Sequence, residues 1–281
     1  MTDTAIALGS FDGLHIGHIE VLRSAKTAKT AVALAFSVPP AMVMSGKKEL
    51  LLPPDKKRAM LEEMGLSVEE MAFEDVRNIA PLDFLLGIYE RFNPKKICCG
   101  FNFRFGKNAA GDIALLRSFC EERGITLSVT PPVELDGERV SSSRIRALIA
   151  DGHIEKAEKL LSRPFFVEGR VQGGDHRGRI LGFPTANFYY PDDIVIPRHG
   201  VYAAACPIDG RTYKAISYIG LRPTFSLERV IVETYLLDFE GDLYDRELKV
   251  ELRHFIREDR KFSSAEELKK QIALDIESAK I

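Results

Sequence analysis

Between Leu161 and Phe166 the chain changes its periodicity, and the change divides what it can fold into. Before it, short apolar runs alternate with segments of helical period. Ala5–Leu8, Ala31–Phe36, Lys96–Cys99 and Ile125–Thr130 read as strands. Between them the pattern predicts four helices: one from Ile16, where Ile19, Leu22 and Ala25 recur in steps of three, one from an Asp55 cap to about Gly65, then 82–91 and 113–123. Such alternation argues for a parallel sheet with helices on its faces. Ser142 or Ser143 can cap a further helix that stops at Asp151-Gly152, and the amphipathic stretch Ile154–Leu161 follows. Ser162-Arg-Pro164 is the expected boundary, which sets domains at 1–161 and 162–281. After it, Phe166–Val171, Val201–Cys206, Tyr213–Ile219, Val230–Phe239 and Glu247–Phe255 are β-type runs parted by turns such as Asp209-Gly210. They predict a small antiparallel β-barrel, closed by a helix over Ser264–Lys280 that Ser263 or Ser264 caps.

Charge narrows the partners. Residues 1–161 carry 21 basic against 22 acidic side chains and residues 162–281 carry 18 against 19, so neither half has the broad positive field of a nucleic-acid binder. No apolar run approaches the length that spans a bilayer, and the first residues lack the basic start and cleavage site of a signal peptide. Cys98, Cys99, Cys120 and Cys206 have no metal-ligand spacing and read as buried thiols in a reducing compartment. The expectation is a cytoplasmic protein with small-molecule partners, no nucleic acid and no membrane, whose oligomeric state the pattern leaves open.

Chemistry concentrates first in Gly9-Ser-Phe-Asp-Gly-Leu-His-Ile-Gly-His18, directly after the first strand. Gly9 and Gly13 allow a tight turn, and Gly17 removes a side chain from between two imidazoles. His15 and His18, three apart, share one face of a helix start, where free N–H groups already favour an anion. A glycine turn with two incidental histidines, or a zinc site lacking its other ligands, are the blander alternatives. Val140-Ser-Ser-Ser-Arg-Ile-Arg146 places hydroxyls and Arg146 at another helix start, which suits phosphate as well as plain capping.

The second half carries Gly173-Gly-Asp-His-Arg-Gly178-Arg-Ile-Leu-Gly182-Phe-Pro-Thr-Ala-Asn187. Its glycines suit either a phosphate cradle or an ordinary hairpin. Thr185 and Asn187, read as part of a polar turn, offer oxygens fitted to Mg²⁺. By pattern alone Glu233 is more often a solvent-facing strand residue than a reactant.

Together these segments resemble a known family. The HxGH pair with a late Ser-Ser-Ser-x-x-Arg is similar to the nucleotidyltransferase superfamily related to class I aminoacyl-tRNA synthetases. The run GxFDGxHxGH, then Gly100-Phe-Asn-Phe-Arg-Phe-Gly106, then Val140–Arg146 resembles the bacterial bifunctional riboflavin kinase/FMN adenylyltransferase (FAD synthetase) family. GxxRGxxLGFPTAN with Gly220-Leu-Arg-Pro-Thr224 and Glu233-Thr-Tyr resembles riboflavin kinase. The resemblance implies a Rossmann-like nucleotidyltransferase domain followed by a kinase barrel, acting on riboflavin, FMN and ATP with Mg²⁺. It implies that His15 and His18 stabilise the transferring phosphates, that Gly9, Phe11, Gly17, Ser142, Ser143 and Arg146 hold the triphosphate, and that Asn102 and Phe105 meet flavin. In the barrel it implies Glu233 as base, Gly173, Gly178, Gly182, Thr185 and Asn187 around ATP and its metal, and Asp259 and Arg260 near the flavin. Phe101, Phe103 and Phe105 suit core packing as well as ring stacking. Phe36-Ser-Val-Pro-Pro40 lacks the first proline of the relatives' F-x-P-x-P.

Overall fold

The computed structural model describes residues 3–173, 182–223 and 228–279 (for residues 222, 223 and 228 the backbone alone). The chain divides into two compact units, Met1–Arg144 and Ile145–Ile281.

The first unit is built on β1 (Thr4–Gly9), β2 (Thr30–Phe36), β3 (Ser67–Met71), β4 (Lys96–Gly100) and β5 (Thr126–Thr130). They form one parallel sheet in the order β3-β2-β1-β4-β5. β1 and β2 are buried almost throughout, as expected of strands covered on both faces. Crossing helices are α1 (Ile16–Ala25), α2 (Pro40–Ser45), α3 (Pro54–Glu63), α4 (Phe73–Val76), α5 (Pro81–Phe92) and α6 (Ile113–Glu122). Proline opens α3 and α5, where its missing N–H costs nothing, so Pro53 and not Asp55 stands at the cap of α3. β3 is an addition to the sequence reading: Ser67-Val-Glu-Glu-Met is too polar to announce a strand, and pairing with β2 makes it one. A two-residue ladder, β6 (Glu134–Leu135) with β7 (Glu138–Arg139), precedes α7 (Ser142–Ala150).

The compact units meet between Arg144 and Ile145, in the first turn of α7. The next helix, α8 (Ile154–Leu161), packs on a barrel strand, and its Glu158 pairs with Arg253 at 3.4 Å. The barrel consists of β8 (Phe166–Arg170), β9 (Ala186–Tyr189), β10 (Gly200–Ile208), β11 (Arg211–Pro223), β12 (Glu228–Leu236) and β13 (Glu247–Arg257). All pairings are antiparallel in the order β8-β13-β10-β11-β12-β9. Gln172 N–H donates to the Asn187 carbonyl at 2.8 Å and draws the two edges together. Asp209-Gly210, both at positive φ, makes the two-residue hairpin between β10 and β11. Ser217 and Thr234, fully buried inside the barrel, satisfy each other at 2.9 Å. The closing helix α9 (Ala265–Ala279) has Ser264 at its cap and is pinned to β13 by a buried, two-pronged Arg257–Asp275 pair.

Candidate functional site

In the first unit the strand order reverses between β1 and β4. Ligands bind parallel sheets at the carboxyl ends of the strands where that reversal occurs. The segments that follow β1 and β4 there are the glycine–histidine turn and Gly100–Gly106. The turn is held in an expensive shape: Phe11 (φ 50°) and Leu14 (φ 45°) occupy the left-handed region beside Gly13 (φ 79°). Three bonds enforce it. Ser142 Oγ donates to the Asp12 carbonyl (3.0 Å), Leu51 N–H donates to Asp12 Oδ1 (3.0 Å), and Lys57 Nζ donates to the Ser10 carbonyl (3.4 Å). Gly9 is required because a Cβ there would lie 2.9 Å from the Phe11 ring.

His15 is the N-cap of α1: its Nδ1 accepts the His18 backbone N–H at 3.2 Å. That bond fixes the tautomer, so the remaining ring proton sits on Nε2 and can be donated. The two imidazoles stack with centroids 3.6 Å apart and planes 14° from parallel, and a Cβ on Gly17 would press within 3.3 Å of the His15 ring. His18 Nδ1 is buried and has no hydrogen-bond partner among the described residues. Such an orphan needs an explanation, and a ligand would supply one.

Burial pushes His15 down to about 4. It drives His18 well below the usual histidine range too, aided by the charges of His15 and Lys57. Both imidazoles are therefore neutral at pH 7. Because folding lowers the His15 value, its contribution to stability is complete above the ordinary pH of ~6.5 and is lost as pH falls toward 4. The loss is on the order of 3 kcal/mol. Urea unfolding at pH 7 and 4.5 checks it: His15→Asn, which keeps a capping side chain, should flatten the dependence, and an unchanged slope would refute the assignment.

Ser141 rather than Ser142 or Ser143 caps α7, through its Oγ and the Arg144 N–H at 3.2 Å, because Ser142 is committed to Asp12. Ser143 is exposed, and Arg146 lies three residues on along α7 within the second unit. Asn102 is exposed and available. Phe105, expected to meet flavin, is 6 % exposed, part of the sheet's core, and packed against Phe84 and Phe103. The accessible ring of that segment is Phe101, under the Arg139 guanidinium.

In the barrel, Tyr218, Glu233 and Asn187 stand directly opposite one another on β11, β12 and β9. They form one row on one face of the sheet. Asn187 is thus a strand residue, which corrects its reading as part of a turn: pairing with β12 extends the Ala-Asn-Phe-Tyr run. Its Nδ2 donates to the Thr185 carbonyl (3.2 Å), and its Oδ1 is buried with no partner among the described residues. Tyr218 hydroxyl donates to Asp259 Oδ2 at 3.1 Å, which brings Asp259 to the same row. Burial, then the charges of Asp259 and Glu233, pushes Tyr218 up to about 12. Gly220 leaves the space that the Tyr218 hydroxyl occupies, 2.2 Å from where a Cβ would be. Arg260 turns to α9, donating to Gln271 (2.8 Å) and covering Phe262. Gly182 needs its glycine at φ 88°, and Gly173 is exposed; Gly178 lies outside the described residues, as does Thr224. Sequence reasoning missed Tyr218, although the hydroxyl-bearing ring two residues before a strand glycine was a visible signal. It also missed Lys57, which falls one turn before Leu61 on the inward face of α3.

An anion-ready turn at the reversal point of a parallel sheet is joined in one chain to a barrel that presents a carboxylate beside an amide oxygen with no partner among the described residues, which is the make-up of a two-domain phosphate-transferring enzyme. The FAD synthetase family model matches residues 1–144 and the riboflavin kinase family model matches residues 161–281. The chain is 32% identical to the bifunctional riboflavin kinase/FMN adenylyltransferase of Bacillus subtilis, covering 98% of this chain and 91% of that one. It is 34% identical to the protein so named in Pseudomonas fluorescens, over 97% and 91%. A crystal structure described as a macrolide-efflux protein from Streptococcus pneumoniae superposes with a TM-score of 0.91 at 29% identity, over 99% of this chain and 94% of that one. Among the described residues no helix is long and apolar enough to cross a membrane. The chain belongs to the bifunctional riboflavin kinase/FMN adenylyltransferase family.

Proposed function

We propose that the barrel phosphorylates riboflavin to FMN and that the α/β unit joins FMN to the adenylyl group of ATP, giving FAD and pyrophosphate, with the functional division at 161/162. The observation that carries the reading is the pairing of two incomplete sites, each with a buried polar atom awaiting a ligand: His18 Nδ1 in one and Asn187 Oδ1 in the other.

In the first reaction an oxygen of the FMN phosphate attacks the α-phosphorus of ATP, and the bond to the β-phosphate breaks. The nucleophile is already an anion, so no base is required. Positioning and donors aimed at the growing charge suffice. His15 Nε2–H and the His18 ring supply such donors; Ser142, Ser143 and Arg146 hold the triphosphate, and Asn102 and Phe101 border the flavin. In the second reaction the terminal ribityl hydroxyl attacks the γ-phosphorus, ADP leaves, and the hydroxyl proton passes to Glu233.

Thr185 and the Asn187 amide oxygen would hold Mg²⁺ brought with ATP. Neutral oxygens suit this hard cation, and the buried unpartnered Oδ1 fits one. When bound, the metal neutralises phosphate charge. Among the described residues there is no cluster of three His, Cys, Asp or Glu side chains for a metal, which agrees with an ion carried largely by phosphates. Four buried free thiols, all but inert through burial, support a cytoplasmic location.

Incubation with riboflavin, ATP and Mg²⁺ should yield FMN and then FAD, and chelation with EDTA should silence both steps. Failure to form either product, or activity that survives EDTA, would overturn the reading or its metal.

A further inference from the structure

Lys57 is 2 % exposed, on a helix that carries no functional motif. Its Nζ donates to three backbone carbonyls: Phe36 and Ser37 (3.2 Å) at the end of β2, and Ser10 (3.4 Å) at the end of β1. Three acceptors use three N–H donors, which only the ammonium form has. Burial lowers the Lys57 value, and the carboxylates that oppose that loss of charge are Asp12, itself 2 % exposed in the glycine–histidine turn, and Glu70 on β3. Among the described residues no carboxylate lies within ion-pair distance of this buried ammonium, which makes it costly, so a structure that keeps one has a use for it.

We propose that Lys57 is a positioning residue of the adenylyl-transfer site: its ammonium ties the ends of β1 and β2 beneath the glycine–histidine turn and fixes a positive charge behind the imidazole pair. This rests on the function proposed above. Two consequences follow from the geometry. The turn carries two non-glycine residues in left-handed conformation, and the bond to Ser10 is one of three that hold it there. The charge also acts on His18, as protonation of His15 would, and opposes its protonation. His18 therefore meets the triphosphate as a neutral donor, while the field of Lys57 draws the phosphates in.

The test is histidine NMR titration of the full-length chain, with Lys57→Gln and Lys57→Met compared with the parent. Glutamine keeps N–H donors for the carbonyls and removes the charge; methionine removes both. In each variant that folds, the His18 midpoint should rise by at least about half a pH unit. Adenylylation of supplied FMN should fall at least about tenfold, with its acid limb moved the same way, while riboflavin phosphorylation stays within about twofold. A folded Lys57→Gln with an unmoved His18 midpoint overturns the proposal, as does a rate loss with an unmoved acid limb, which would leave only a structural part. If the parent forms no FAD from FMN, the functional reading fails, and the His18 midpoint still decides the role of Lys57.

Discussion

Glu233→Gln is expected to stop riboflavin phosphorylation while the same protein still converts supplied FMN to FAD. The substitution is nearly isosteric on a strand whose register it does not disturb: Glu233 pairs with Tyr218 on one side and Asn187 on the other, and the ladder bonds are backbone. What changes is basicity. A neutral alcohol attacking phosphorus must shed a proton, and an amide cannot take it. General-base removal typically costs on the order of a hundred- to ten-thousand-fold in rate. The loss should appear in kcat rather than in KM for ATP, since the substitution leaves in place Thr185 and Asn187, which are proposed to hold the nucleotide and its metal. Assay of FMN formation, with FAD formation from added FMN as internal control, reads both. A variant that phosphorylates riboflavin normally would hand the proton to another group, and Asp259, bonded to Tyr218 in the same row, is where to look.

How much of this was legible in the sequence depended on what each residue leans on. β1 and β2 announce themselves because strands buried on both faces must be continuously apolar. β3 does not, since an edge strand is made by its neighbour, and Ser67-Val-Glu-Glu-Met71 has no pattern of its own. Three adjacent serines are equal caps by type. Ser141 is selected only because Ser142 reaches Asp12, 130 residues away in the chain. Asn187 reads as a turn residue until β12 lies beside it, and that pairing is what sets its amide next to Glu233. Lys57 was hidden for a different reason: its partners are backbone carbonyls, and no side-chain spacing encodes them. Alternating rings suit both a core and a stacking surface, and the packing of Phe105 on Gly111, with room for no Cβ against that ring, shows only in the structure. The histidine motif was readable because its chemistry and its shape are local: cap, glycine and stacked rings fall within four residues.

That locality shapes the remaining large effect. His18→Ala should lower FAD formation from FMN about a hundred- to a thousand-fold, the range for removing one preorganised donor from developing phosphate charge. Riboflavin phosphorylation by the same protein should persist. The cap of α1 survives, because His18 contributes its backbone N–H to His15 and not its ring. Two effects on stability oppose each other: the deleted ring carries a buried nitrogen without a partner among the described residues, and it also stacks on His15 and meets Phe11, contacts that leave a cavity when lost. His15→Ala is predicted to differ, losing activity and about 1 kcal/mol of capping together. Thermal unfolding beside the two assays separates the cases. FAD formation within about threefold of the parent in folded His18→Ala would remove the imidazole from the mechanism. Loss of both activities in a folded protein would instead refute two separable sites. The ring also stacks on His15 and meets the edge of Phe11, so unfolding and the adenylylation assay must be read together: packing shows in the first, a phosphate contact in the second.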